Sequence, residues 1–200
     1  APSSEALYLL GMTGGAAWTC GHVWTLLSAS FLHGSLLHII FNMSFLRSLG
    51  PPTVNLFGPA RFVVLYLVAG AGGFLLSNVM GGYPTIGASA SLFGLLGGLA
   101  AFGWRRGGTV GANLQRGMLT NAAMIVALTF MMGNVNHWGH LGGFLTGGGI
   151  AFLFPSHEGR HEGRGVQLLA VGLLLATLAS FFLSAWFMFG AVQNGGAVCY

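Results

Sequence analysis

The chain has 200 residues, of which seven are Lys or Arg, three are Asp or Glu and 54% are hydrophobic. A soluble domain carries about 25% charged residues, so 5% charged leaves too little polar surface to face water and points to hydrocarbon as the solvent. All the basic residues are arginine, no stretch is basic enough to hold nucleic acid, and Cys20 and Cys199 are too few for a disulfide framework and lack metal-ligand spacing. The 35 glycines would weaken soluble helices by roughly 1 kcal/mol each relative to alanine, but in a membrane bundle small residues let helices approach closely.

In chain order, residues 1–30 are mixed. Pro2, Gly14, Gly15, Trp18 and Trp24 predict an irregular segment at the membrane interface, where tryptophan is enriched. Six apolar spans follow, at 34–49, 61–80, 86–104, 118–134, 137–155 and 166–190, most of them near the ~20 residues that cross the hydrocarbon core. The first is short unless Ser28–Gly34 extends it, and a very tight turn joins the fourth to the fifth. The segment 156–165 is a polar loop. The expected class is an all-α polytopic transmembrane bundle, with 1–30 as an interfacial loop, 31–155 as the helical core, 156–165 as a loop and 166–200 as an additional helix and tail.

Six spans place alternate connections on opposite sides. Arg47 and Arg61 flank the first connection, Arg105, Arg106 and Arg116 the third, and Arg160 and Arg164 the fifth. All seven fall on one side, which the positive-inside rule makes cytoplasmic. Both ends of the chain are then extracytoplasmic, and a first transmembrane helix is expected upstream of Ala1.

Ionisable and strongly polar groups at membrane depth are functional candidates. Here they are His33, His38, Asn42, Ser89, His137 and His140. The chain has no Asp, no Glu lies in a span, and no HExxH string occurs, which removes aspartyl chemistry, carboxylate relays and a zincin-type site. In Gly87-Ala88-Ser89-Ala90-Ser91, Pro84 and Gly87 mark a helix start. Ser89 then sits in a first turn, where backbone N–H groups point at developing negative charge, and its small neighbours leave room for a carbonyl. Taken alone, the string equally serves close helix packing. In Asn136-His137-Trp138-Gly139-His140, Gly139, Gly143 and Gly147 repeat every four residues along one face. If the Ser89 helix packs there, His140 reaches the hydroxyl as a base. His137, nearer the interface, serves as a cap or partner-helix contact. His38 and Asn42 share a helix face, and both can donate toward an oxyanion. Helix–helix hydrogen bonding is the plainer role for that pair. His33 ties the preceding loop to the helix. The arginine-derived topology puts Ser89, His140, His38 and Asn42 in the same half of the membrane.

These strings resemble the rhomboid family of intramembrane serine proteases. His33-Gly34-Ser35 through His38 and Asn42 is similar to the family's second helix, Gly87-Ala88-Ser89-Ala90 followed by Phe93-Gly94 to its nucleophile string, and Gly139-His140-Leu141-Gly142-Gly143 to its histidine string. The run from Gly58 through Arg61, Tyr66 and Gly70 looks like its third helix, and the likeness runs from about Trp24 to Pro155. The resemblance implies a Ser89–His140 dyad without an acid, Phe93 packed against the His140 ring, and an oxyanion site of His38, Asn42 and the Ser89 N–H. It also implies no metal or cofactor, single-pass transmembrane substrates, cleavage toward the extracytoplasmic face and a missing first helix. Ala90 stands where the family has glycine, Thr25 where the loop often has arginine, and Arg47 and Gly50 where an acidic residue is common. The rival readings are an inactive relative that binds transmembrane clients, and a metal site of His33, His38, His137 and His140, which has no carboxylate or thiolate beside it. Cys20 and Cys199 lie on one side of the membrane by the arginine argument, where a disulfide between loop and tail is chemically allowed.

Overall fold

A computed structural model describes residues 2–133, 135–154 and 161–193. Among these residues the ordered elements are helices, and the strand-like pairing is an isolated bridge between Thr13 and Thr85. The first thirty residues form three short helices, α1 (Ser4–Leu9), α2 (Gly15–Thr19) and α3 (Thr25–Ser28), and a 3₁₀ turn (Ala29–Phe31). Then come α4 (Leu36–Phe57), α5 (Pro59–Met80), α6 (Ser89–Arg106), α7 (Gly108–Met132), α8 (His137–Leu153) and α9 (Arg164–Gln193). The fold class is therefore all-α, as composition and periodicity predict.

The breaks fall where the backbone chemistry requires them. Ser35 caps α4 by accepting from the His38 N–H at 3.2 Å. Gly58, at φ +94°, ends α4, and Pro59 opens α5 at a position whose missing N–H has no helical partner anyway. Gly107, at φ +65°, turns the chain between α6 and α7.

Two boundaries differ from the sequence expectation. Ser28–Gly34 does not lengthen the first span, because the chain bends by 95° between Thr25–Phe31 and Leu36–Phe57. That helix is longer at its other end, passing through Pro51 and Pro52. The carbonyls these prolines leave without an i+4 donor belong to Arg47 and Ser48, which are exposed. The Leu49 carbonyl accepts from the Thr53 hydroxyl at 2.6 Å. The α7 helix starts ten residues before the apolar run, carrying Asn113, Gln115 and Arg116 on its first turns.

α6 is the central helix. Its residues from Ala90 to Ala100 are buried, and it packs against α4, α5, α7 and α8. The outer faces are apolar. On α4, Leu36, Leu37 and Phe41 are exposed, and on α9 so are Leu175, Leu178, Phe182 and Trp186. Such a surface is stable only against hydrocarbon. By length and hydropathy, α5 and α9 are each able to cross a membrane alone among the described residues, and Thr25–Phe31 with α4 meets the same test only if the bent pair is counted as one span.

α9 holds the N-terminal segment. Trp24 donates its indole N–H to Ser184 at 3.2 Å and stacks on Phe187 with ring centroids 5.0 Å apart. His22 completes a three-ring cluster, 4.6 Å from Trp24 and 5.1 Å from Phe187. Thr25 is buried, donating to the His22 carbonyl at 2.7 Å. The loop–tail disulfide that the sequence allows involves Cys199, which lies outside the described residues, as do 156–160 of the polar loop; no described cysteine is a free thiol.

The segment before α9 also ties back to the core. Glu162 accepts from the N–H groups of Ala60 and Arg61 at 3.0 and 2.8 Å, capping α5 from 100 residues away in sequence. A carboxylate on free N–H groups at a helix start is stabilised by charge and hydrogen bonding together. Replacing Glu162 by Ala is expected to lower unfolding stability by about 1–2 kcal/mol. Gly58→Ala should lower it too, because a Cβ there would lie 2.6 Å from the Glu162 carboxyl carbon. Thermal unfolding in detergent checks both; a Glu162→Ala midpoint equal to wild type would contradict the cap.

Candidate active site

The site forms where the starts of α6 and α8 meet at one end of the bundle. α6 begins at Ser89 itself, with Ala88 as its cap. Just before it, Gly87 adopts φ +119°, where a side chain would be strained, and its N–H donates to the Ala29 carbonyl at 2.9 Å. α8 begins at His137 because Asn136 caps it, accepting from the Gly139 N–H at 3.1 Å. That cap puts His140 at the end of the first turn. The two starts face each other, and His140 Nε2 lies 3.0 Å from the Ser89 hydroxyl oxygen.

Glycine sets that distance. A Cβ at Gly143 would overlap the carbonyl of Ala90, and one at Gly147 the carbonyl of Gly94. The two backbones thus touch along α6 and α8 with no side chain between them. Gly139 differs from the expected pattern. A Cβ there would touch only the Asn136 side chain at 3.9 Å, and the Gly139 carbonyl instead faces Gly73 of α5. Gly142 also meets α5, at Gly72 and Gly73. The glycines of α8 therefore serve two neighbours on two faces. Ala90 is buried at 1% exposure, and its methyl group points at Gly73, so the space for it comes from α5.

His140 is 5% exposed. Phe93, one turn after Ser89, stacks on its ring with centroids 4.2 Å apart and planes 9° from parallel. His137 meets it edge-on at 6.0 Å and is itself stacked on Phe130 of α7 at 4.0 Å. The Nδ1 atoms of His137 and His140 are buried and have no partner among the described residues. Ring packing, rather than a carboxylate, therefore orients the imidazole.

His38 and Asn42 approach from α4. A Cβ on Gly87 would lie 2.7 Å from His38 Nε2 and 3.6 Å from Asn42 Nδ2, so both side chains converge beside the turn that precedes Ser89. Asn42 is buried at 5% exposure, and its Nδ2 donates to no described partner. His33 sits before α4, bonded to the Phe31 backbone and edge-on to His38 at 5.0 Å. His33 thus pairs with His38 and His137 with His140, and no group of three side chains able to hold a metal ion is found among the described residues.

Sequence reasoning missed the full role of Asn136. Its Nδ2 donates to the hydroxyls of Ser77 and, at 2.7 Å, Thr85, while Thr85 pairs with Thr13 of the N-terminal segment. One side chain thus joins α8 to α5 and to the loop entering α6. A cap residue four positions before the histidine was the available signal.

The Rhomboid domain family model matches residues 20–157 of this sequence. The chain belongs to the rhomboid family. Its rhomboid relatives include "Rhomboid protease GluP" of Bacillus subtilis, 31% identical over 183 residues, which cover 90% of this chain and 35% of that protein. "RHOMBOID-like protein 4" of Arabidopsis thaliana is 32% identical over 85% of this chain and 46% of that protein. "Putative rhomboid protease YdcA" of Bacillus subtilis is 29% identical over 66% of this chain and 68% of that protein. The chain thus spans less than half the length of the first two. With its rhomboid family membership and its apolar helices, it is an integral membrane protein.

Asn136→Ala is expected to cost about 1–2 kcal/mol through the lost cap and the unpaired hydroxyls and to speed amide exchange in the first turn of α8. Asn136→Asp, which keeps the acceptor for Gly139 and removes the donor, should protect that turn and still lose stability. Hydrogen exchange and thermal unfolding read the two separately; full stability in Asn136→Ala would contradict the bridging role.

Proposed function

We propose that this protein is an intramembrane serine endopeptidase in which Ser89 is the nucleophile and His140 the general base. The observation that carries the reading is the 3.0 Å contact between His140 Nε2 and the Ser89 hydroxyl, with the ring stacked on Phe93. Relatives named as proteases support the same class.

In this reading His140 takes the Ser89 proton as the oxygen attacks the scissile carbonyl carbon. The resulting oxyanion is held by His38, by Asn42 Nδ2 and by the Ser89 N–H at the start of α6. Unpaired donors that become satisfied only as charge develops favour the transition state over the ground state. His140 then returns the proton to the leaving amine as the C–N bond breaks. Water, activated by the same imidazole, hydrolyses the acyl-enzyme.

The substrate is a single-pass transmembrane segment that enters sideways and unwinds locally, because a continuous helix shields its carbonyls. Residues 31–155 form the catalytic core, 1–30 an interfacial loop, 156–165 a loop and 166–200 the additional helix and tail. The arginines, gathered on one side of a six-span topology, support an active site toward the extracytoplasmic face. The buried position of Ala90 supports activity despite its departure from the family's glycine, since its methyl group is directed at α5.

Reconstituted in lipid with a labelled transmembrane substrate, the wild-type protein is expected to cut, and Ser89→Ala and His140→Ala to be inactive. Asn42→Ala should be slower by about a hundredfold, the usual loss for one oxyanion donor. Cleavage by Ser89→Ala at the wild-type rate would overturn the proposal. Binding of the substrate by folded wild type without cleavage would favour a client-binding relative.

A further inference from the structure

α7 and α8 follow one another in sequence; among the described residues both pack mainly on α6, and they meet each other at their adjoining ends through the Phe130–His137 stack. A sideways-open crevice separates them. One part, about 410 Å³, is lined by Trp104, Gln115, Gly148, Gly149 and Phe152 among others. The next, about 460 Å³, reaches Val126, Trp138 and the rings of Phe93, His137 and His140. Leu119 and Phe144 line both parts, so the two are adjacent and meet at these side chains.

Size and charge together define what fits. From Gln115 to Val126 the lining follows α7 for eleven residues, about 17 Å, and from Phe152 to His137 it follows α8 for fifteen, about 22 Å at 1.5 Å per residue. That is shorter than a hydrocarbon core about 30 Å thick and matches the reach of a single acyl chain. Its walls are apolar along this length, with small residues (Ala122, Ala123, Gly148, Gly149) widening it. Positive charge sits at one end only. The Arg105 guanidinium lies 5.8 Å from the Phe152 ring and uses Nη1 to donate to the carbonyls of Ala151 and Phe154, at 2.9 and 2.8 Å. Arg116 is exposed on α7, three and seven residues before Leu119 and Ala123 and so on the same stripe. Trp104, 62% exposed, stands at this end as interfacial tryptophans do. An apolar slot of this length with cations at its mouth is complementary to an anionic amphiphile.

We propose that the crevice between α7 and α8 binds one anionic phospholipid, with its phosphate at Arg105 and Arg116 and one acyl chain lying along the slot toward His140. The tail end then abuts the ring stack of Phe93, His137 and Phe130 that packs around His140. The site does not depend on the protease reading, only on the chain being in a bilayer.

The full chain is reconstituted in phosphatidylcholine vesicles containing a minority of phosphatidylglycerol, and retained lipids are counted by native mass spectrometry. One phosphatidylglycerol is expected to be retained in preference to phosphatidylcholine. The preference should be about fivefold per arginine, the ratio that about 1 kcal/mol for a basic residue near a membrane surface converts to. Gly149→Leu should abolish retention. A Cβ at Gly149 meets nothing within 4 Å, so the side chain enters the slot without strain, and leucine is the better helix former. Ala123→Phe plugs the slot from the opposite wall and should do the same. Arg116→Gln should lower the phosphatidylglycerol preference about fivefold and leave phosphatidylcholine counts unchanged. Equal retention of the two lipids, or undiminished retention in both plugged variants, would overturn the proposal. So would crosslinking of a second copy or a substrate helix into the slot.

Discussion

The contact on which the site depends is between backbones. α6 and α8 touch where Gly143 meets the Ala90 carbonyl and Gly147 the Gly94 carbonyl, and α5 closes on both through Gly72, Gly73 and Gly94. In hydrocarbon there is little hydrophobic drive to bring helices together, so close packing and short polar contacts must supply it. Each Cα–H to carbonyl approach contributes about 0.5–1 kcal/mol. The geometric effect is larger than the energetic one. A seam without side chains admits one relative depth for the two helices, and that depth sets Ser89 3.0 Å from His140.

Everything else at the site restrains groups that this seam has already brought together. Asn136 fixes where α8 starts and links it to α5, Phe93 fixes the plane of the imidazole, and the reversed turn at Gly87 lets His38 and Asn42 close on the approach to Ser89. Farther out, α9 holds the N-terminal segment by Trp24, and Glu162 holds α5. α7 is the exception: it rests mainly on α6 and meets α8 through the Phe130–His137 stack, which leaves open slots beside it. The molecule thus combines a rigid centre of α5, α6 and α8 with more weakly attached elements around it.

What the sequence makes legible follows from the range of each interaction. Helix starts at Ser35, Pro59 and Ser89 carry local signals in serine, proline and glycine. The polar residues at membrane depth announce themselves because hydrocarbon makes them costly. The family resemblance adds the pairing of Ser89 with His140 as an expectation. Less legible are features decided by distant partners. Nothing near Glu162 says that it caps a helix one hundred residues earlier, and nothing near Ser77 or Thr85 says that Asn136 will reach them. Gly139 and Gly143 look alike in sequence and face different surroundings, since the neighbouring helix is chosen by tertiary packing. The start of α7 is hidden because its first turns are polar, and the end of α4 because two prolines ordinarily stop a helix.

For the proposed chemistry to run, the backbone seam between α6 and α8 must make Ser89 reactive. An active-site-directed fluorophosphonate, with the adduct mapped by mass spectrometry and its rate measured in the wild type and in Gly143→Ala, tests this directly. A single adduct on Ser89 is expected in the wild type. In folded Gly143→Ala, where the new methyl group forces the helices apart, labelling should be slower by about a hundredfold, the loss expected from a misplacement near 1 Å. An adduct on another serine, or a folded Gly143→Ala protein labelled at the wild-type rate, would contradict it.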